Sequence, residues 1–211
     1  MADKTQEAAE IIVLEEGRLI NHSLFTRDQF NAQAEAYYKV EVAFDEEVLN
    51  DFHNKCLDAA VATWGEGADD DPDLVVPIID GNKLAKKRKA ADKPGEAYEG
   101  KEVLRAKTKY NKDGEDGPGG VAVYAPDNSE IGPANQSLIY QGCYGKAAVT
   151  VSTYVDNDGN HAVTAYLVAF QKTRDGERLV TPRDHSKLFK AVGRAPATEG
   201  EAAPARSRRK G

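Results

Sequence analysis

The chain has 211 residues, 40% of them hydrophobic, and 35 acidic against 28 basic side chains give a formal net charge of −7. That supports one domain with tails or two small ones, and no apolar run approaches the ~20 residues that cross a bilayer, so no membrane partner is expected. The N-terminus MADKTQEAAE lacks the basic region and apolar run of a secretory signal, and Cys56 and Cys143 form no CxxC pair, which fits reduced thiols in a cytoplasm.

Charge is unevenly spread along the chain. Residues 41–80 hold 12 acids and one lysine, a net of −11. Residues 83–112 hold 11 Lys/Arg against 4 acids, a net of +7, and residues 190–211 hold 6 against 2, a net of +4. Local basic surface attracts polyanions even when the total is acidic.

In chain order, residues 1–10 read as a disordered lead. IIVLEEGRLIN (11–21) has strand-like ends around a Glu-Glu-Gly turn or bulge. AYYKVEVAF (36–44) alternates as a strand, with Tyr38, Val40, Val42 and Phe44 on one face and Tyr37, Lys39, Glu41 and Ala43 on the other. A helix follows, with Asp45 as its N-cap, a stripe through Val48, Leu49, Phe52, Cys56, Ala59, Ala60 and Thr63, and Gly65 as its C-cap. The acidic loop DDDPD (69–73) leads into VVPII (75–79), a short extended segment. DGNKLAKKRKAADKPGEAYEG (80–100) is polar and basic and reads as a long loop. KEVLRAKTKY (101–110) is a strand, NKDGEDGPGG (111–120) a flexible loop, and VAVYAP (121–126) another strand. Residues 138–155 and 161–172 form a hairpin with an Asp-Gly turn, and RDGERL (174–179) is a turn. From about 191 the composition turns to Pro, Ala, Gly, Glu and Arg, a disordered basic tail. The pattern predicts a mainly β fold, a small closed or partly closed barrel with one substantial inserted helix and long loops, over residues 11–190.

Strand 101–110 places Lys101, Arg105, Lys107 and Lys109 on one face with Val103, successive positions of that face being about 6–7 Å apart. That spacing is close to the phosphate repeat of an extended single strand. An ordinary solvated strand face would carry the same pattern, but Lys83, Lys86, Lys87, Arg88 and Lys89 in the adjoining loop favour a polyanion site. Single-stranded nucleic acid also needs flat rings on which bases stack. Tyr110 ends the basic strand, and Tyr144, Lys146 and Tyr154 share the outward face of the hairpin. Taken singly, each tyrosine also suits a barrel rim with its hydroxyl in water.

Catalytic patterns are missing. The histidines are scattered, and there is no HExxH, Walker loop, GxSxG or dinucleotide fingerprint, so no enzyme, metal or cofactor is expected. VDNDGNH (155–161) departs from an EF-hand in its glycine position and ends the window on Leu167 rather than Glu; a hairpin turn explains it better.

Four blocks in order, YYKVEVAF (37–44), IIDGNKLAKKRKAADKPGEAYEGKEVLRAKTK (78–109), IYQGCYGKAAVTVSTY (139–154) and NDGNHAVTAYLVAFQKTRDGERL (157–179), resemble a family of bacteriophage single-stranded DNA-binding proteins once catalogued as a domain of unknown function. The resemblance covers roughly residues 18–180. It implies an OB-fold Greek-key barrel, sequence-independent binding of single-stranded DNA in replication or recombination in the host cytoplasm, and phage or host replication proteins as further partners; it leaves the oligomeric state open. It implies a groove over the outward faces of strands 101–110 and 142–155, without carrying over individual contacts; the charge and tyrosine patterns themselves supply the candidate contacts Lys86, Lys87, Arg88, Arg105, Lys107, Lys109, Tyr110, Tyr144, Lys146 and Tyr154. Many such proteins end in an acidic tail; this chain carries ARSRRKG instead, so its tail is expected to add salt-sensitive affinity. The rival readings are an OB module whose tyrosine face recruits protein and a metal-dependent nuclease using DDDPD or Asp156 and Asp158.

Overall fold

The computed structural model describes residues 10–29 and 31–180. Most of the expected N-terminal lead and all of the expected basic tail lie outside the described residues.

The chain order is β1 (Ile12–Val13), β2 (Gly17–Asp28), β3 (Tyr37–Phe44), α1 (Asn50–Trp64), β4 (Ile78–Asp80), α2 (Gly81–Ala90), β5 (Glu102–Thr108), β6 (Ala122–Tyr124), β7 (Tyr144–Val155) and β8 (His161–Arg174). Five strands close a ring in the order β7-β2-β3-β5-β8 and back to β7. Only the β5–β8 pairing within that ring is parallel. A five-stranded ring of this connectivity is a Greek-key barrel of the OB type. The ring leaves three short strands at its margins: β1 pairs with β7, β4 with β5, and β6 with β8.

Alternation builds the barrel as the sequence predicts. Tyr38, Val40, Val42 and Phe44 of β3 meet Leu104 and Ala106 of β5, Ala147 and Val149 of β7, and Val163, Ala165, Leu167 and Phe170 of β8 in one buried core. Alanines among the large residues suit the narrow interior of a small barrel. At the seam between β2 and β7, Gly17 faces Gly145. A Cβ on Gly17 would stand 2.5 Å from Val42 Cγ1, and one on Gly145 would stand 2.4 Å from the Phe170 ring. The seam therefore closes only around two residues without side chains, which is what the glycine of the QGCYG block supplies.

Helix α1 packs Phe52, Cys56 and Ala60 into the same core and ends at Gly65 as expected, with Gly65 at φ 95°. Its start differs. The helix begins at Asn50 rather than after Asp45, and Leu49 occupies the N-cap position without a side-chain cap. Asp45 instead pairs with Lys101 across the sheet.

Residues 80–100 are the larger departure. The expected loop contains α2, capped by Asp80, whose Oδ1 accepts from the Asn82 amide at 2.8 Å and the Lys83 amide at 3.4 Å. The helix turns only Gly81 and Ala85, with parts of Leu84 and Arg88, toward the barrel, so its apolar stripe is too thin to read as amphipathic. It lands on the outward face of the sheet, where Ala85 and Tyr98 cover Ile20, Ala43 and Val103 in a second small core. This is why Val103, on the cationic face of β5, is buried. The 111–120 loop, read as flexible, is likewise fastened. The Asn111 carboxamide oxygen accepts from the amides of Asp113 and Glu115, and the Tyr38 hydroxyl donates to Gly117 O at 2.9 Å and accepts from Gly120 N at 3.1 Å. Two strands also exceed their expected lengths. β2 runs on through 22–28, where mixed polar residues hide the alternation, and β8 reaches Arg174.

Candidate nucleic-acid interface

The outward face of the barrel beyond α2 carries a transverse row set by strand register. Lys39 of β3 lies opposite Lys107 of β5, Lys107 opposite Tyr166 of β8, and Tyr166 opposite Thr150 of β7. Strand β8 thus lies between the two strands expected to share a groove. Tyr37 precedes this row, and Lys107 Nζ sits 4.9 Å from the centre of its ring. The Tyr37 hydroxyl donates to Glu35. That bond, burial and the negative potential of Glu35, Tyr166 and Tyr154 push its pKa up to about 12, so the phenol stays neutral.

Two depressions open on this face. One of about 270 Å³ is lined by Glu35, Tyr37, Lys39, Arg105 and Lys107. The other, about 440 Å³, is lined by Thr108, Tyr110, Lys112, Thr150, Tyr166 and Val168. Tyr110 and Tyr154 are each 45% exposed and Tyr166 39%, so three flat rings present themselves to solvent. A row of cations between exposed phenols is the arrangement that holds phosphates while bases stack.

Most of the cations already have partners. Arg105 donates from Nε at 2.9 Å to Glu41 Oε1, its Nη2 lies 2.7 Å from the same oxygen, and Glu41 is buried. Lys39 pairs with Asp28, and Lys109 lies 3.5 Å from Asp116. Lys107 makes no ion pair among the described residues; its contact is the Tyr37 ring.

The structure gathers part of the expected set. Arg105, Lys107, Lys109, Tyr110 and Tyr154 share this surface. Lys86 and Lys87 are exposed on the side of α2 turned from the barrel and line neither depression. Arg88 is taken up internally: its guanidinium lies 4.9 Å from the Tyr98 ring centre, and its Nε donates to Pro94 O at 2.7 Å. Tyr144 and Lys146 are not brought in. They share the outward face of β7 with Tyr154, but ten residues of extended strand, about 33 Å, separate Tyr144 from Tyr154. At that far end Arg174 covers the Tyr144 ring at 3.4 Å and is held by Glu16 at 2.8 Å, while Lys146 lies 3.6 Å from Glu15.

Tyr37, Lys39 and Tyr166 are groove residues absent from the expected set. Alternation in β3 and β8 puts all three on the outward faces; what the sequence lacks is the strand order that sets them beside Lys107. The Asp156 carboxylate accepts from the amides of Asp158 at 2.9 Å and Asn160 at 2.8 Å. That confirms the hairpin turn, and the bonds from Asn160 hold the carboxyl below its ordinary value. Among the described residues no cluster of His, Cys, Asp or Glu is arranged to hold a metal, and no helix is long and apolar enough to cross a membrane. Burial pushes the Cys56 thiol up to about 12 and raises that of Cys143, away from reactive thiolate.

The fold and this surface define an OB-type barrel with a cation-and-tyrosine face. The family described as Enterobacter phage Enc34, ssDNA-binding protein, matches residues 10–198, and the chain belongs to it. It is a family of binding proteins, not enzymes. The single-stranded DNA-binding protein of bacteriophage Enc34, solved in complex with ssDNA, aligns over 81% of this chain and 89% of its own, with 18% identity and a TM-score of 0.59. The single-stranded DNA-binding protein gp2.5 encoded by bacteriophage T7 aligns over 89% of this chain and 99% of its own, with 15% identity and a TM-score of 0.54. No curated protein sequence matches the chain. At these identities the solved structures establish the fold, which is the one the sequence predicts.

Proposed function

We propose that this chain binds single-stranded DNA without sequence preference and covers it during phage DNA replication or recombination in the host cytoplasm. The observation that carries this reading is the transverse row Lys39–Lys107–Tyr166, with Tyr37, Tyr110 and Tyr154 around it. Lys107, Arg105, Lys109, Lys86 and Lys87 contact phosphates; Tyr37, Tyr110, Tyr154 and Tyr166 stack bases. Rings accept any base, so affinity is insensitive to sequence, and duplex DNA, whose base faces are hidden, binds less well. No metal or nucleotide cofactor takes part. Replication proteins of phage or host are further partners. The tail from residue 191 adds cations to the same DNA.

A fluorescence-anisotropy titration with labelled dT oligomers tests this. The wild type binds at low salt, with log affinity falling by about 0.7 per phosphate contact for each decade of salt. Arg105/Lys107/Lys109→Ala binds more weakly with a shallower slope; equal affinity of the two proteins removes the proposed groove. A protein-recruiting role is the second reading. It is favoured by the pairing of Lys39, Arg105 and Lys109 with carboxylates, which leaves a mixed-charge, tyrosine-rich face of the kind found at protein interfaces. No binding of any oligomer at low salt selects it.

A further inference from the structure

Asp116, on the 111–120 loop, is shared by two cations that belong to different strands. Arg27 Nη2, at the end of β2, lies 2.7 Å from its Oδ1, and Lys109 Nζ, just past β5, lies 3.5 Å from its Oδ2. Both cations are held in place without the carboxylate. Arg27 also donates to the Lys109 backbone oxygen and lies 5.5 Å from the Tyr38 ring, and Lys109 Nζ sits 5.4 Å from the Tyr110 ring. The carboxylate reaches Arg27 through one nitrogen only, so the two-pronged contact that makes Arg–carboxylate pairs strong is missing. The Arg27 Nε is buried without a hydrogen-bond partner among the described residues. Asp116 itself is half exposed, and Gly114, Gly119 and Gly120 beside it hold positive φ values of 81°, 134° and 79°. Tyr110, which pairs with Asp116 in an isolated bridge, lines the larger depression.

Resting on the DNA-binding reading, we propose that Arg27 and Lys109 form a phosphate subsite which Asp116 fills in the DNA-free protein, and that a backbone phosphodiester of single-stranded DNA displaces this carboxylate. A phosphodiester and a carboxylate each bring one negative charge, so the subsite keeps the same net charge of +1 before and after the exchange. The released carboxylate takes up a counterion as the phosphate gives one up. Asp116 therefore removes about one phosphate contact's worth of salt dependence and holds affinity below what the cation count allows. Arg27 becomes a DNA contact, and Asp116 the group that sets its strength.

The test is the dT titration across salt for full-length wild type, Asp116→Asn, Glu115→Gln and the double variant Arg27→Gln/Asp116→Asn. Asp116→Ser serves as a second way to remove the charge, and thermal unfolding checks each fold. Removing the Asp116 charge should tighten binding roughly threefold to tenfold at low salt and steepen the log–log slope by about 0.7. Glu115→Gln, which removes an equal charge from the same loop with no cation attached among the described residues, should change the slope much less. The Asp116→Asn gain should vanish when Arg27 is also lost. The subsite is overturned if both Asp116 variants match wild type, if Glu115→Gln gains as much, or if the gain survives in the double variant. Failure of wild type to bind any oligomer is a different result, which removes the DNA-binding reading itself.

Discussion

The two ends of β7 carry nearly the same sequence signal and stand in different surroundings. At one end Tyr144 and Lys146 alternate outward; at the other Tyr154 does the same. Tyr144 lies under the Arg174 guanidinium, which Glu16 fixes from the β1–β2 turn, and Lys146 faces Glu15. Tyr154 is 45% exposed and stands with Tyr37 and Tyr166 near Lys107, which makes no ion pair among the described residues. A tyrosine beside a cation is thus no site in itself. It becomes one where the cation's countercharge is absent and the ring face is open, and that depends on which strands arrive next to it.

The largest expected effect breaks this contrast directly. Tyr37/Tyr154/Tyr166→Ala should lose several kcal/mol of DNA affinity, from about 1–3 kcal/mol per stacked base, whereas Tyr144→Ala should leave affinity near wild type and lower the melting temperature instead. Anisotropy and thermal unfolding on the same preparations separate the two, and equal loss of affinity from both variants would erase the distinction between the ends.

Next in size is Arg105→Ala set against Lys107→Ala. Loss of Arg105 strands the buried Glu41 carboxylate, with only the 3.4 Å Asn21 contact left, and should destabilise the fold by about 1–3 kcal/mol. Loss of Lys107 should leave stability within about 0.5 kcal/mol and reduce the salt slope by about 0.7. Denaturant unfolding paired with salt titration reads both. Removing residues 191–211 should also flatten the salt slope while leaving binding at the tyrosine face intact; an unchanged slope would detach the tail from DNA.

The smallest effect concerns His22, opposite Val40 in the β2–β3 register. Burial lowers its pKa below the ordinary 6.5, and its Nδ1 has no partner among the described residues. The unfolded chain therefore binds the proton more readily than the folded one. Stability is unaffected above about pH 6.5 and declines as pH falls below it toward the folded pKa. The paired carboxylates Glu16, Asp28, Asp116 and Asp175, whose pKa values are lowered chiefly by hydrogen bonds to Thr173, Lys39, Arg27 and Lys172 respectively, lose their contribution only at lower pH. His22→Gln should flatten the first part of the acid decline in denaturation midpoint; a curve parallel to wild type would assign that decline elsewhere.

The sequence by itself determined four of the five barrel strands, because burial of one face of a sheet imposes a two-residue period that β3, β5 and β7 keep and β8 keeps as far as Leu167. It also determined the cationic face of β5 and the hairpin turn at Asp156, both of which rest on neighbours within a few positions. It did not disclose α2, whose contact with the barrel is only a thin stripe through Ala85, nor the true start of α1 at Asn50, with Asp45 paired to Lys101. The membership of the groove was a tertiary decision. Alternation says which way a side chain points, but the parallel β5–β8 pairing set Tyr166 beside Lys107, the antiparallel β3–β5 pairing set Tyr37 there, and ring closure at Gly17 and Gly145 left Tyr144 at the other end of the barrel. Whether a cation is free is decided by carboxylates distant in sequence, Glu41 for Arg105 and Asp116 for Arg27 and Lys109. A charge's partner is whatever the fold brings within a few ångströms, and local sequence does not encode that distance.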